Sequence, residues 1–168
     1  MTDAQAKWWR QTQSDWSVFV HLRRAGVNTC HLLHYLQMTT EKLGKAYLWR
    51  SGRVPSKNHT GFVRFLKALL DRRPAELDHI AKVLGFNRAA DLETWVGGVQ
   101  TLAYALQNMA PAEANNGPNP EYPWPHEAPT TAPCDHEFAL WSDLVNTGRG
   151  RKLTKFIEVA VSQFPAYA

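Results

Sequence analysis

The sequence predicts an all-α protein: an up-and-down helical bundle of about five to seven helices, with a Pro-rich loop before the C-terminal helices. Three observations carry this. Apolar residues recur at three- and four-residue spacing through long segments, the period of one helix face. No segment reads as a strand-based fold. Prolines gather in one window, and there the helical period stops. Hydrophobic residues make up 44% of the 168 and charged residues 20%, ordinary globular composition with enough apolar surface for a core. The chain reads as a single domain over 1–168. A bundle core covers 1–110, a Pro-rich loop 111–133, and C-terminal helices over 134–168 complete the bundle.

The first helix is expected over 3–25. Trp9, Trp16, Phe19, Val20 and Leu22 give its helical spacing, and Gly26 supplies a left-handed stop. Asn28 is placed to cap a second helix reaching Arg50, with Leu33, Leu36, Thr40, Leu43 and Tyr47 as its seam. A loop around Pro55 follows. A third helix is expected from Thr60 to Arg72, with Phe62, Phe65, Leu66 and Leu69 buried. Pro74 suits the first turn of a fourth, which carries Leu77, Ile80 and Leu84 and closes at Gly85. Asn87 is expected to cap a fifth helix reaching Met109. Gly97 and Gly98 in its middle cost stability relative to Ala, so the sequence suggests a close helix crossing there.

Residues 110–133 hold Pro118, Pro120, Pro123, Pro125, Pro129 and Pro133 and have no helical period. Tyr122 and Trp124 are expected to dock this arm on the bundle. A sixth helix carries Phe138, Leu140, Trp141, Leu144 and Val145 and is interrupted at Gly148-Arg149-Gly150. The last helix is expected over 152–163, ended by Pro165.

The formal net charge of +4 is compatible with a nucleotide or nucleic acid partner without demanding one. Seven Trp is a high count, and rings that need a partner for their N–H suit partial surfaces or an interface. Cys30 and Cys134 have no paired spacing, Met1–Lys7 is too polar for a secretory signal, and no apolar run is long enough to span a bilayer. A cytoplasmic protein with free thiols, without a membrane segment, is expected.

His34, Gln37 (or Met38), Glu41 and Lys45 share one face of the second helix, and Glu41 precedes Lys45 by four, the favourable order for a helical ion pair. Such a face is either a solvated, ion-paired surface or a polar groove for a phosphate-bearing ligand, with Lys42 or Lys45 and His59 as donors. His59 could alternatively serve only to cap the third helix. Cys30 and His34, at i and i+4, are a workable pair of metal ligands. Zinc needs three or four, and Cys134 and His136 could complete a set only through tertiary contact, so no metal and no cofactor is assigned. Arg149, Arg151, Lys152 and Lys155 form a basic cluster near the start of the last helix, either a solubilising loop or a phosphate site.

The stretch from Leu36 to Leu66 resembles the core of HEPN domains. Those have a helix reading Gln-x-x-x-Glu-Lys-x-x-Lys-Ala, a short Pro-containing loop, and a His opening the next helix. Gln37, Glu41, Lys42, Lys45, Ala46 and His59 match that pattern. The resemblance implies a module that binds a nucleotide or RNA, or pairs with a nucleotidyltransferase-type partner as in a toxin–antitoxin system. It also implies a homodimer. The residues it assigns to ligand binding are Gln37, Glu41, Lys42, Lys45 and His59. HEPN domains include metal-independent ribonucleases with an Arg followed at short range by a His. Arg53 and His59 fit that string, so catalysis by this pair is an alternative expectation, in which the His moves protons and the Arg offsets phosphoryl charge. In the family the motif normally lies on a later helix, whereas here Val54 and Pro55 follow Arg53. The later position corresponds here to Glu121-Tyr122-Pro123, where some relatives carry Arg-Tyr-Pro, and this departure points to a non-catalytic member. A ligand-free helical scaffold is the remaining expectation.

Overall fold

The computed structural model describes residues 1–49 and 59–168. α1 (Asp3–Ala25) opens on a reciprocal cap, in which Thr2 Oγ1 accepts from the Gln5 N–H and Gln5 Oε1 accepts from the Thr2 N–H. Gly26, at φ 66°, turns the chain away as expected. α2 (Thr29–Leu48) then runs antiparallel to α1, since Asp15 meets Lys42 while Trp8 meets Lys45 and Trp49. Asn28 sits at the N-cap of α2, but its side chain makes no capping hydrogen bond there.

α3 (Gly61–Leu70), α4 (Pro74–Val83) and α5 (Ala89–Gln107) follow, with Pro74 in the first turn of α4 and Gly85 at φ 86° beyond its end. α5 is capped from a distance rather than by Asn87. Its N-cap residue is Arg88, and Asp78 Oδ1 of α4 accepts from the Ala89 N–H at 2.9 Å. The expected crossing at Gly97-Gly98 is corrected, because both glycines are exposed and a Cβ on either would meet nothing within 4 Å. The close crossing lies instead between α2 and α3. A Cβ on Gly44 would overlap the Gly61 carbonyl oxygen, and one on Gly61 would stand 3.1 Å from the Glu41 carbonyl oxygen. Those two glycines let the backbones touch.

The Pro-rich segment holds one helical turn, α6 (Pro111–Ala114), and a single 3-10 turn over Pro133–Asp135. Its anchoring differs from expectation in one residue. Trp124 is buried against His136 and Phe138, but Tyr122 is 58% exposed and anchors nothing. The polar anchors are Asn119, whose Oδ1 accepts from the Glu121 and Tyr122 N–H groups, and Glu121, which faces His34 of α2. Trp124 and Thr131 exchange backbone hydrogen bonds in an isolated antiparallel bridge.

α7 (Ala139–Asn146) is followed directly by α8 (Gly148–Ser162), so Gly148-Arg149-Gly150 forms the first turn of the last long helix instead of interrupting it. Thr147 caps that turn by accepting from the Gly150 N–H at 2.9 Å. A Cβ on Gly150 would overlap the Asp143 carbonyl oxygen, which is how the two helices fit so close a joint. Pro165 ends α8 but also opens a further turn, α9 (Phe164–Tyr167), where a missing N–H costs nothing.

Among the described residues the fold is therefore an all-α bundle, with no strand beyond the isolated Trp124–Thr131 bridge. One core cluster runs from Phe19 of α1 through Leu33, Leu43, Phe65, Leu92 and Phe156 to Tyr167. Trp9 ties α1 to α8 by donating Nε1–H to the Val161 carbonyl at 2.8 Å. No helix among the described residues is long and apolar enough to cross a membrane.

Candidate functional site

The Gly44–Gly61 crossing presses the start of α3 onto the middle of α2, and the polar residues of α2 meet His59 there. Glu41 is 5% exposed and is the hub. Its Oε1 takes the ammonium of Lys45, one turn on. Its Oε2 accepts from Gln37 Nε2 at 3.1 Å and faces His59 Nδ1 at 2.6 Å. Burial alone would raise the Glu41 carboxyl. The hydrogen bonds from Lys45, His59 and Gln37 outweigh it and hold the group below its ordinary value of 4.5. Glu41 is therefore a carboxylate at neutral pH, and a carboxylate can only accept. His59 Nδ1 must carry the proton in this contact, so in the neutral ring Nε2 keeps its lone pair. The His59 side chain is 34% exposed, against 7% for Glu41. The arrangement is an imidazole oriented by a buried carboxylate, with no partner on Nε2 among the described residues.

Of the expected ligand-binding residues, Gln37, Glu41, Lys45 and His59 come together. Lys42 does not. One residue around the helix from Glu41, it points to α1 and pairs with Asp15 Oδ2 at 2.5 Å, while Gln11 donates to Asp15 Oδ1 at 3.1 Å. That is a second neutralised ion pair, with Lys42 14% and Asp15 8% exposed at the side chain. His34, expected on the same face as Glu41, is occupied elsewhere. Its Nδ1 lies 3.3 Å from Glu121 Oε1, at ion-pair distance but without hydrogen-bond alignment. Arg53 lies outside the described residues.

Two indoles border the site and were missed in the sequence. Lys45 Nζ stands 5.4 Å from the Trp8 ring centroid, and Trp8 and Trp49 are 6.3 Å apart. A signal existed on α1, where Trp8, Thr12, Asp15 and Phe19 repeat at four-, three- and four-residue spacing. Two polar residues in an otherwise buried stripe imply a polar partner on the facing helix.

The Cys30, His34, Cys134 and His136 set does not converge. Cys30 is buried in the core, which pushes its thiol up, while Cys134 is exposed and His136 packs its ring on Trp124 and Phe138. Among the described residues no three His, Cys, Asp or Glu side chains are grouped to hold a metal. The basic cluster of α8 also disperses. Arg151 donates to the Val145 and Asn146 carbonyls, Lys152 stands over Phe86, and Lys155 pairs with Glu158.

Comparison with known protein families, curated proteins and solved structures finds no match for this chain.

Proposed function

We propose that the chain is a HEPN-like helical module that binds a nucleotide or RNA at the His59 end of the α2–α3 crossing. The observation that carries this reading is the Glu41–His59 pair. A buried carboxylate fixes the ring, and the ring's other nitrogen is left as an acceptor for a ribose hydroxyl. Lys45 and the Trp8–Trp49 pair lie beside it, offering a cation and ring faces for a base. In sequence the neighbouring segment adds Arg50, Arg53 and Lys57. The ammonium of Lys45 is already paired with Glu41, so it orients and tunes the site more than it supplies free charge.

The same lone pair favours a second reading, metal-independent RNA cleavage by Arg53 and His59. There His59 Nε2 would take the proton of a 2′-hydroxyl as that oxygen bonds to phosphorus, the bond from phosphorus to the 5′-oxygen breaks, and the leaving oxygen takes a proton from the His59 imidazolium or from water, giving a 2′,3′-cyclic phosphate. Arg53 would offset charge on the phosphoryl oxygens.

The test is the melting temperature with a panel of ribonucleotides and short RNAs, on the wild type and on His59→Ala. A ligand-dependent rise that vanishes in His59→Ala, with the RNA intact, supports binding. RNA cut by the wild type and left whole by His59→Ala supports the nuclease. No shift and no cleavage would sink both readings and leave a scaffold.

A further inference from the structure

The opposite end of α1, away from His59, carries a groove lined by rings and cations. Two adjoining cavities of about 240 and 400 Å³ lie between α1 and the α7–α8 pair, and they share Phe19, Arg23, Thr154 and Glu158. Their floor is a row of rings. Trp16 and Phe19 are 5.1 Å apart, and Phe19 meets the edge of Trp141 at 6.5 Å. Phe19 is fully buried, whereas both indoles are half-buried and keep part of their surface in the groove.

Four cations rim it: Arg23 and Arg24 from the last turn of α1, Arg151 and Lys155 from α8. The facing carboxylate is Glu158, bound to Lys155 at 2.8 Å. The side chains of Arg23 and Arg24 make no hydrogen bond or ion pair among the described residues. Their place at a helix C-terminus favours them through the macrodipole. Arg151 has no such excuse, because it lies in the first turn of α8, where a cation opposes the dipole. Its two bonds to α7 carbonyls hold the guanidinium at the groove edge and use a minority of its donors.

We infer that this groove binds a single-stranded nucleic acid, with bases on Trp16 and Trp141 and phosphates on Arg23, Arg24 and Arg151. Half-buried indoles beside guanidiniums that make no ion pair among the described residues are the pairing such strands need, a stacking platform next to positive charge. An acidic peptide would use the cations but not the ring faces. Arg23 lies about 22 Å along α1 from Trp8, so the surface is separate from the one beside His59.

The test is fluorescence anisotropy with a labelled short oligouridylate carrying 5-iodouridine, on the full chain. The exposed pair Arg23→Glu/Arg24→Glu is compared with wild type after circular dichroism confirms its fold. The double variant is expected to bind at least about tenfold more weakly, because two phosphate contacts become repulsive, and its log K against log salt slope is expected to be shallower by about 1.4. Photocrosslinks are expected on Trp16 or Trp141, and those crosslinks are expected to persist in His59→Ala, which leaves these rings in place. Absence of binding overturns the inference, as do crosslinks mapped elsewhere. Equal binding by the double variant together with loss in His59→Ala would place the strand at the other site and overturn the groove alone. Competition by polyglutamate as effective as by unlabelled oligouridylate would make the partner an acidic chain, which also overturns it.

Discussion

Glu41→Gln is the sharpest perturbation of the site, since it removes a charge and keeps the shape. In the wild type the carboxylate accepts from Lys45, Gln37 and His59. Glutamine offers one oxygen, and its amide end would confront a donor. Lys45, 9% exposed, would become a buried cation without a counter-ion among the described residues, beside the Trp8 ring face. Breaking a buried pair by removing one partner costs about 3–5 kcal/mol. Relief of the burial penalty on Glu41 pulls the figure to the lower end, so the expected loss is about 3 kcal/mol. At about 2–4 °C per kcal/mol for a chain of this size, the melting temperature falls by about 6–12 °C.

The pH dependence fixes the sign. The folded carboxyl lies below its ordinary value, so the unfolded chain binds more protons as pH falls toward the acid range. The stabilisation is present above the ordinary value of 4.5 and is lost as pH drops through the lower folded value. Urea denaturation from neutral to acid pH should therefore show wild type and Glu41→Gln converging at the acid end. Glu41→Gln/Lys45→Met should recover much of the loss, because no buried charge is left unpaired. A loss under about 1 kcal/mol, or a gap unchanged into acid, would refute the hub role of this carboxylate.

Three further outcomes follow from the packing. Gly44→Ala should cost about 2–3 kcal/mol by chemical denaturation, since its Cβ overlaps the Gly61 backbone and must push α3 off α2. Gly98→Ala should instead add about 0.5–1 kcal/mol in the same assay, because its Cβ meets nothing and the helix loses a flexible residue. With an aromatic disulfide reagent, Cys134 should react at once. Cys30, buried and with its thiol pushed up, should react only on unfolding, which peptide mass mapping would separate.

By itself the sequence determined the helices and most of their ends. Three- and four-residue spacing, a glycine at Gly26 and a proline at Pro74 act within one or two turns, so they are readable without a fold. The i and i+4 order also put Gln37, Glu41 and Lys45 in one line, and that line exists. Where a partner lies far along the chain, local spacing carries no preference among candidates. Lys42 chose Asp15, 27 residues away, because its face of α2 turns to α1 and not to α3. Asp78, not Asn87, caps α5, since α4 brings its carboxylate to the open N–H. The two glycines of α5 resembled a crossing as well as Gly44 and Gly61 did, and only the approach of α2 to α3 decided which pair was needed. Tertiary packing made these choices because burial rewards whichever faces meet, and the meeting of faces is set by the whole bundle rather than by any one helix.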